Sequence, residues 1–266
     1  MTTARNITVG GVTLTVEDRG SGRALLFVHG YPLDRTLWRH QLDAFPAWRR
    51  IAPDLRGFGG SAAARPEPTL ARHADDLAGV LDACKVDQAI VCGLSMGGYI
   101  TFEFLRRHRA RVAGMILMDT KAEADGPEGK KARDQAVALA EEKGAAAIAD
   151  AMLPRLLAPG TAQTAPTVVV AAREMMLRAS VPGIVAALRG MRDRADSTDL
   201  LAGISVPTLA LCGAEDVLTP PAGMRAIAER VRGARYVEVP GAGHLAPLEQ
   251  PAAVDSAVDE FLKRVG

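Results

Sequence analysis

Polar and hydrophobic residues alternate near the start of the chain. The alternation runs through residues 7–9 and 12–16 and is interrupted by the pair Gly10-Gly11. Because side chains two apart share one face of a strand, this pattern predicts a β-hairpin with one buried face and a turn at the glycines. A continuous apolar run from Ala24 to His29 follows, which is typical of a strand covered on both faces.

Further apolar runs alternate with stretches of helical length along the rest of the chain. The predicted strands are Arg50–Asp54, Gln88–Gly93, Ala113–Asp119, Val206–Gly213 and Ala234–Val239. The predicted helices are Trp38–Phe45, Thr69–Cys84, Gly97–His108, Ala222–Val231 and Ala252–Val265. Strands and helices that alternate in this way form βαβ crossovers. We therefore predict an α/β fold with a mostly parallel, eight-stranded sheet and helices on both faces.

One segment, residues 121–198, interrupts this alternation. It is rich in Ala, Leu and Met, and its Pro and Gly residues divide it into several short helices. We interpret it as a helical cap inserted over the carboxyl edge of the sheet, where open α/β sheets bind their ligands. Residues 1–120 and 199–266 are then expected to form the core domain.

Composition places the chain among ordinary globular proteins. Of 266 residues, 48% are hydrophobic and 24% are charged, and the formal net charge is 32 − 31 = +1. These values exclude disordered and disulfide-stapled classes, and the lack of a basic excess argues against a nucleic-acid or anionic-membrane partner. We predict a soluble, cytoplasmic protein, because three cysteines without metal-like spacing suit a reducing compartment and neither a signal peptide nor a membrane helix is evident. Both a monomer and a homodimer are compatible with the sequence.

The strongest chemical signal is GLSMGG, residues 93–98, which lies between a predicted strand and a predicted helix. A sharp strand-to-helix turn lifts a serine hydroxyl above the sheet edge, and Gly93 and Gly97 allow the helix to pass close to the strand. The helix N-terminus favours negative charge that develops there. We predict Ser95 as a nucleophile; a glycine-rich turn with an incidental serine is the alternative.

A serine hydroxyl needs a base to take its proton. His244 lies in the loop GAGHLAPLEQP after the last predicted strand, from which an imidazole reaches the sheet edge, so we predict it as the base. His40, His73 and His108 lie on predicted helices among charged residues and are expected at the surface. His29 is expected to fix its own loop by hydrogen bonds.

A third group must orient the imidazole and stabilise its charged form. Asp216 follows the predicted strand Val206–Gly213, and the order Ser95, Asp216, His244 is the one that this architecture requires. Asp119, also at a strand end, is the rival acid. Glu215 is expected to point away from the site.

An oxyanion needs two donors aimed at it in advance. The backbone N–H of Met96 is one candidate, and the N–H of Tyr31, in the turn after Ala24–His29, is the other. Pro32 has no N–H to offer. The glycine-rich loop Asp54–Ser61 is interpreted as structural, because it lacks the spacing of a phosphate-binding P-loop. Phosphate binding is the alternative.

Five motifs resemble, in their order, those of the α/β-hydrolase superfamily. They are HGYP (29–32), DLRGFGGS (54–61), GLSMGG (93–98), GAEDVLTPP (213–221) and GAGHLAPLEQP (241–251). The chain is similar along essentially its whole length to small, capped serine esterases and lactonases, such as enol-lactone hydrolases and bacterial carboxylesterases. The resemblance implies the α/β-hydrolase sheet, a catalytic triad of Ser95, Asp216 and His244, oxyanion donors at Tyr31 and Met96, and no cofactor or metal. Dehalogenases and epoxide hydrolases also resemble this chain, but their nucleophile is an aspartate. Ser95 therefore argues against both of these activities.

The methionines and leucines of residues 121–198 suit a pliable wall around a small acyl or alkyl group. We predict Met152, Leu153, Met176 and Leu245 as substrate-binding residues; core packing is the alternative. Arg155, Arg173 and Arg178 are candidates for a substrate carboxylate, although no charged constellation stands out.

The predicted function is therefore hydrolysis of small carboxylic esters or lactones through an acyl-enzyme on Ser95, with a small molecule as partner. The alternatives are C–C bond hydrolysis, thioester cleavage and perhydrolase or haloperoxidase-like chemistry on the same triad. A ligand sensor with slow turnover is the alternative outside enzymology.

Overall fold

The structure is a computed structural model that describes residues 4–63 and 69–265. Within these residues, eight strands form one sheet in the order β1-β2-β4-β3-β5-β6-β7-β8. They are β1 (Arg5–Val9), β2 (Val12–Arg19), β3 (Ala24–Val28), β4 (Arg49–Pro53), β5 (Ala89–Leu94), β6 (Val112–Met118), β7 (Thr208–Gly213) and β8 (Arg235–Val239). β2 pairs antiparallel with β1 and β4, and every other pairing is parallel. The predicted mostly parallel, eight-stranded sheet is confirmed.

Ten α-helices accompany the sheet in the described ranges. They are α1 (Gln41–Ala44), α2 (Leu70–Ala83), α3 (Met96–Arg107), α4 (Pro127–Leu156), α5 (Thr161–Thr164), α6 (Pro166–Leu177), α7 (Val181–Arg192), α8 (Pro221–Arg230), α9 (Ala246–Glu249) and α10 (Pro251–Val265). None of them is both long enough and apolar enough to cross a bilayer.

The predicted helix around Trp38–Phe45 is only partly observed, because the α-helix within it covers just Gln41–Ala44. A 3₁₀ turn, Arg35–Trp38, begins where the Asp34 carboxylate accepts a hydrogen bond from the backbone N–H of Thr36 at 2.9 Å. The single-turn helix α1 then ends at Ala44, because Phe45 precedes a proline and residues in that position avoid the helical conformation. This region is therefore two short turns rather than one helix.

The helices α4 to α7, called the inserted helices below, all lie between β6 and β7. The expected division of the segment is only partly observed: α4 runs for 30 residues, with a kink at Gly144, where φ is 76°, and it continues past Pro154. α4 packs against both α6 and α7. The backbone of Gly57 touches α7, since a Cβ on Gly57 would lie 2.5 Å from the Cα of Gly183. The loop that follows β4 therefore holds the inserted helices against the core.

The sheet separates two apolar clusters. Leu26 and Val28 of β3 belong to one cluster, and Leu25 and Phe27 belong to the other, as the alternation of side chains in a strand requires. All four are fully buried, and each such side chain contributes about 1.5–3 kcal/mol by leaving water. The continuous apolar strands of the sequence are thus explained by cover on both faces.

Candidate active site

Ser95 lies on a sharp turn between β5 and α3. Its backbone has φ 56° and ψ −115°, in a region that residues with a side chain rarely adopt. The turn is held from both sides, because Ser95 N donates to Met118 O at 2.9 Å and Ser95 O accepts from Gly98 N at 2.8 Å. Thr120 Oγ1 donates to the same carbonyl at 2.8 Å. The neighbouring strand and helix therefore fix the position of the serine hydroxyl.

Two glycines make this turn sterically feasible. A Cβ on Gly97 would lie 2.2 Å from Val28 O, and a Cβ on Gly93 would lie 2.3 Å from Gly97 O. Real Cβ atoms do not approach carbonyl oxygens this closely, and backbone cannot yield as a flexible side chain can. The close passage of helix and strand expected from the sequence is observed.

Gly97→Ala should destabilise the protein by about 1–3 kcal/mol, because the new methyl group forces α3 away from β3. The matched control is Gly223→Ala near the start of α8, where a Cβ meets no atom within 4 Å. That control should be neutral or should stabilise by up to about 1 kcal/mol through helix propensity. Thermal unfolding followed by circular dichroism measures both, and equal Tm values for the two variants would contradict the steric argument.

His244 and Asp216 form a buried hydrogen-bonded pair at the carboxyl edge of the sheet. His244 Nδ1 donates to Asp216 Oδ2 at 2.8 Å, and both side chains are almost fully buried. With its proton held on Nδ1, the imidazole carries its acceptor lone pair on Nε2, which is the arrangement of a general base. The pair can therefore orient a base and stabilise the cation that it becomes.

The surroundings of the Asp216 carboxylate favour its ionised form. Its carboxylate also accepts hydrogen bonds from Leu218 N at 2.8 Å, Thr219 N at 3.1 Å and Thr219 Oγ1 at 2.5 Å. Burial by itself would raise the pKa of Asp216, but the hydrogen bond and charge of His244, together with the Thr219 donors, lower that pKa below its usual value. A carboxylate in this state can balance an imidazolium.

Asp119, the rival acid, lies beneath the pair and does not bond to the imidazole. It is fully buried at the end of β6, and its Oδ1 accepts from Gly213 N at 2.8 Å. Burial, and then the charge of Asp216, raise the pKa of Asp119 well above its usual range. A carboxyl group whose neutral form is favoured is a poor partner for an imidazolium, and Asp216 is the one bonded to His244, so Asp216 is the better candidate. Glu215 is exposed, as expected.

Asp119, Asp216 and Cys212 are also a group of potential metal ligands in the described part of the chain. One ligand atom from each lies within 4.8 Å of the others. Asp216 already accepts from His244 and Thr219, and the Cys212 thiol donates to Gly213 O at 3.3 Å. Burial raises the pKa of Cys212, which opposes the thiolate that a metal would need. This donor set does not suit a metal centre.

Two backbone amides are placed to stabilise negative charge. Met96 N is the first amide of α3, and neither it nor Tyr31 N donates a hydrogen bond to another group within the described residues. A Cβ on Gly30, the residue before Tyr31, would lie 3.2 Å from Ser95 Cβ. The loop that carries the Tyr31 amide therefore passes directly beside the serine.

His29 fixes this loop, as expected. Its Nδ1 donates to Gly30 O at 2.8 Å, and its Nε2 accepts from Leu55 N at 2.9 Å. The Asp54 carboxylate similarly accepts from Arg35 N at 2.7 Å and Gly60 N at 2.8 Å. Both glycine-rich loops are thus held by internal hydrogen bonds, which supports the structural interpretation of Asp54–Ser61.

The surface prediction for His73 is wrong. His73 is 1% exposed on the buried face of α2, in helical register with Leu70 and Leu77, and burial lowers its pKa to about 3. His40 is exposed, and His108 is partly exposed and bonds to Asp75 at 2.8 Å. The helical spacing of His73 relative to its leucines was the signal for its burial.

Ser95 and His244 line one cavity of about 310 Å³, which the inserted helices cover. Of the four predicted substrate-binding residues, Met152 lines this cavity, whereas Leu153, Met176 and Leu245 pack in the apolar cluster that contains Phe27. The remaining lining residues include six polar or charged residues that the sequence did not indicate would lie together. They are Tyr31, Tyr99, Lys121, Asp125, Arg133 and Arg155.

Comparison with known proteins places the chain in a well-populated group. The sequence profile of a family described as alpha/beta hydrolase fold matches residues 23–251. Among curated proteins, 3-oxoadipate enol-lactonase 2 of Acinetobacter baylyi is 28% identical over 264 residues, which cover 98% of this chain and 96% of that protein.

Two solved structures are similar over nearly the whole chain. A thermophilic esterase from Thermogutta terrifontis, solved with malate bound, has a TM-score of 0.95 and 41% identity, covering 98% of this chain and 99% of that one. The enol-lactonase from Burkholderia xenovorans LB400 has a TM-score of 0.90 and 29% identity, covering 97% and 100% respectively.

Proposed function

Because the chain belongs to the α/β-hydrolase fold family, we propose that this hydrolase cleaves small carboxylic esters or lactones through an acyl-enzyme on Ser95. The observation that carries the proposal is that Ser95 and His244 line one cavity while Asp216 binds the far side of the imidazole at 2.8 Å. A hydroxyl, a base and a buried carboxylate in this relation are the parts that nucleophilic acyl transfer requires.

In the proposed reaction, His244 Nε2 takes the hydroxyl proton as Ser95 Oγ attacks the substrate carbonyl. The tetrahedral oxyanion accepts hydrogen bonds from the amides of Tyr31 and Met96. As the intermediate collapses, the imidazolium gives its proton to the leaving alcohol oxygen and the acyl group stays on Ser95. His244 then activates a water molecule, whose attack releases the carboxylic acid and restores the serine.

Electrostatic preorganisation supports each step. Among the described residues the two amides have no acceptor, so they need no reorganisation when negative charge develops. Asp216 is ionised and hydrogen-bonded before the reaction starts, so the imidazolium forms beside an anion that is already in place. Removal of one oxyanion donor typically costs about 10²–10³ in kcat.

The cavity supports a small substrate. At about 310 Å³ it lies at the small end of ligand pockets, and Met152, Leu139 and Leu218 contribute apolar walls. We propose that residues 121–198 act as the cap that sets this size over a core of residues 1–120 and 199–266. The esterase and the enol-lactonases among the relatives are consistent with ester and lactone substrates. The three free, buried cysteines support our further proposal of a cytoplasmic location.

The test is steady-state hydrolysis of 4-nitrophenyl esters from acetate to decanoate by the wild-type protein. We expect sustained turnover with the highest kcat/KM for short acyl chains, because long chains exceed the cavity. A stoichiometric burst of nitrophenol followed by negligible turnover would contradict the proposal and favour a ligand sensor. Absence of both burst and turnover on every ester would contradict an ester-cleaving site.

A further inference from the structure

The cavity wall contributed by the first part of the inserted segment has an excess of positive charge. Lys121, Arg133 and Arg155 line the cavity, and Asp125 is the acidic residue beside them. Three positive side chains and one negative side chain give an excess of two positive charges. A fourth cation, Arg194, lies behind Asp125 and is buried, so the excess is larger when this residue is included.

Asp125 does not cancel this excess. Arg194 Nη2 donates to its carboxylate at 3.0 Å, Arg133 Nε donates at 3.1 Å, and Lys121 Nζ lies 3.3 Å away. Burial acts to raise the pKa of Asp125, but the hydrogen bonds and charges of Arg194 and Arg133 outweigh it and lower the pKa to about 2. One ionised carboxylate is therefore shared by three cations, each of which retains unused donors.

Arg155 stands in the last turn of α4 and has neither a hydrogen bond nor an ion pair with any other residue that the structure describes. Its side chain is exposed at the cavity rim. A guanidinium offers five N–H donors in a planar fork that matches a carboxylate. Arg155 is thus a donor group at the cavity without a protein acceptor.

The Tyr31 side chain adds a second unmatched donor to the cavity lining. Tyr31 lines the cavity and is 4% exposed, yet its hydroxyl has no hydrogen-bond partner among the described groups. Burial raises the pKa of this phenol, and the nearby charge of Arg133 acts in the other direction. The hydroxyl is therefore a protonated donor close to Arg133. A buried polar group without a partner costs free energy, and a bound acceptor would remove that cost.

We propose that this end of the cavity binds a carboxylate carried by the substrate itself, so that the preferred ester or lactone bears a second, ionised carboxyl group. Arg133 and Arg155 would receive the carboxylate, with Lys121 and the Tyr31 hydroxyl beside them. The apolar wall at Met152 would then contact the carbon chain between the carboxylate and the scissile carbonyl at Ser95. The proposal rests on the proposed hydrolase function and adds the charge of its substrate.

The experiment compares two substrates that differ in charge alone. The mono-4-nitrophenyl ester of glutaric acid carries a terminal carboxylate, and the corresponding ester of glutaramic acid carries a carboxamide of nearly the same size. After subtraction of spontaneous hydrolysis, we expect wild-type kcat/KM to be at least about tenfold higher for the carboxylate, the size of one charge-assisted contact. Raising the salt concentration should reduce this ratio, because screening weakens the attraction.

The double variant Arg133→Gln/Arg155→Gln should bring the ratio close to one. The control is Arg173→Gln on α6, which matches the single variant Arg155→Gln in removing one cation from the inserted helices but lies outside the cavity lining, where it pairs with Asp150 at 2.9 Å. That control should retain the wild-type ratio. Arg155→Gln alone should lower the ratio, and since Arg155 is exposed and unpaired in the described structure, this single variant tests the proposal if the double variant does not fold.

Several outcomes would overturn the proposal. Equal wild-type kcat/KM for the two esters would show that the cavity does not recognise the carboxylate, while Ser95-dependent turnover of both would leave the proposed function intact. A double variant, or Arg155→Gln in its place, with an undiminished ratio would assign the preference to other residues. If neither these esters nor 4-nitrophenyl acetate is turned over, the proposed function itself fails.

Discussion

Ser95→Ala should lower kcat for 4-nitrophenyl esters by at least about 10⁴-fold. The change removes only the hydroxyl oxygen, so the Tyr31 and Met96 amides and the His244–Asp216 pair remain. The residual rate measures what binding and the oxyanion donors achieve without a nucleophile. Alanine has the same β-carbon as serine, so the unusual φ of 56° at this turn is no less tolerable in the variant.

The measurement is kcat from steady-state kinetics on Ser95→Ala, wild type and a control, Ser256→Ala. Ser256 is exposed on α10 and does not line the cavity, so its replacement should not change turnover. Equal Tm values for the three proteins would show that the fold is retained. Substantial turnover in a clean Ser95→Ala preparation would refute Ser95 as the nucleophile.

Asp216→Asn should lower kcat by about 10⁴-fold, through a different cause. An asparagine in this position offers an N–H where His244 Nδ1 now donates at 2.8 Å. The imidazole would then move its proton to Nε2, which is the nitrogen that must accept the serine proton. The variant therefore keeps the geometry of the pair but selects the wrong tautomer, and it also removes the anion that balances the imidazolium.

Asp119→Asn is the control for this prediction, because it makes the same chemical change within 4.8 Å of the first. The raised pKa of Asp119 favours its neutral form, which an amide resembles. We expect kcat within about tenfold of wild type, as for changes that leave the reacting groups in place. A severe loss in Asp119→Asn with a mild one in Asp216→Asn would identify Asp119 as the acid.

The sequence predicted those parts of the fold that local patterns control. Continuous apolar runs marked the buried strands, and each predicted triad residue followed a predicted strand, so the parallel sheet brought three strand ends to one edge. The proline after Phe45 is a local signal that ends the helix early, and the predicted helix boundary did not take it into account. His73 shows another, because its spacing from Leu70 and Leu77 placed it on the buried face of α2.

The lining of the cavity was less predictable, because it depends on how the inserted helices pack. Met152 and Leu153 are adjacent and chemically similar, yet the first lines the cavity and the second packs only against the apolar cluster that contains Phe27. A helix turns by about 100° per residue, so its rotation about its own axis decides which of the two faces the site. The charged residues around Asp125 come from the loop after β6, from α4 and from the segment before β7. No local sequence motif contains them together.

Because β8 lies at the edge of the sheet, the catalytic residues depend on different parts of the sheet for their positions. His244 lies in the loop after β8, and β8 is attached to the sheet through β7 alone, with Leu209 opposite Arg235. The serine turn needs only β3, β5, β6 and α3, so a refolding chain can build its nucleophile while its base is still undocked. On the proposed mechanism, a chain whose β8 edge is undocked would hold its nucleophile without its base and would not turn over substrate.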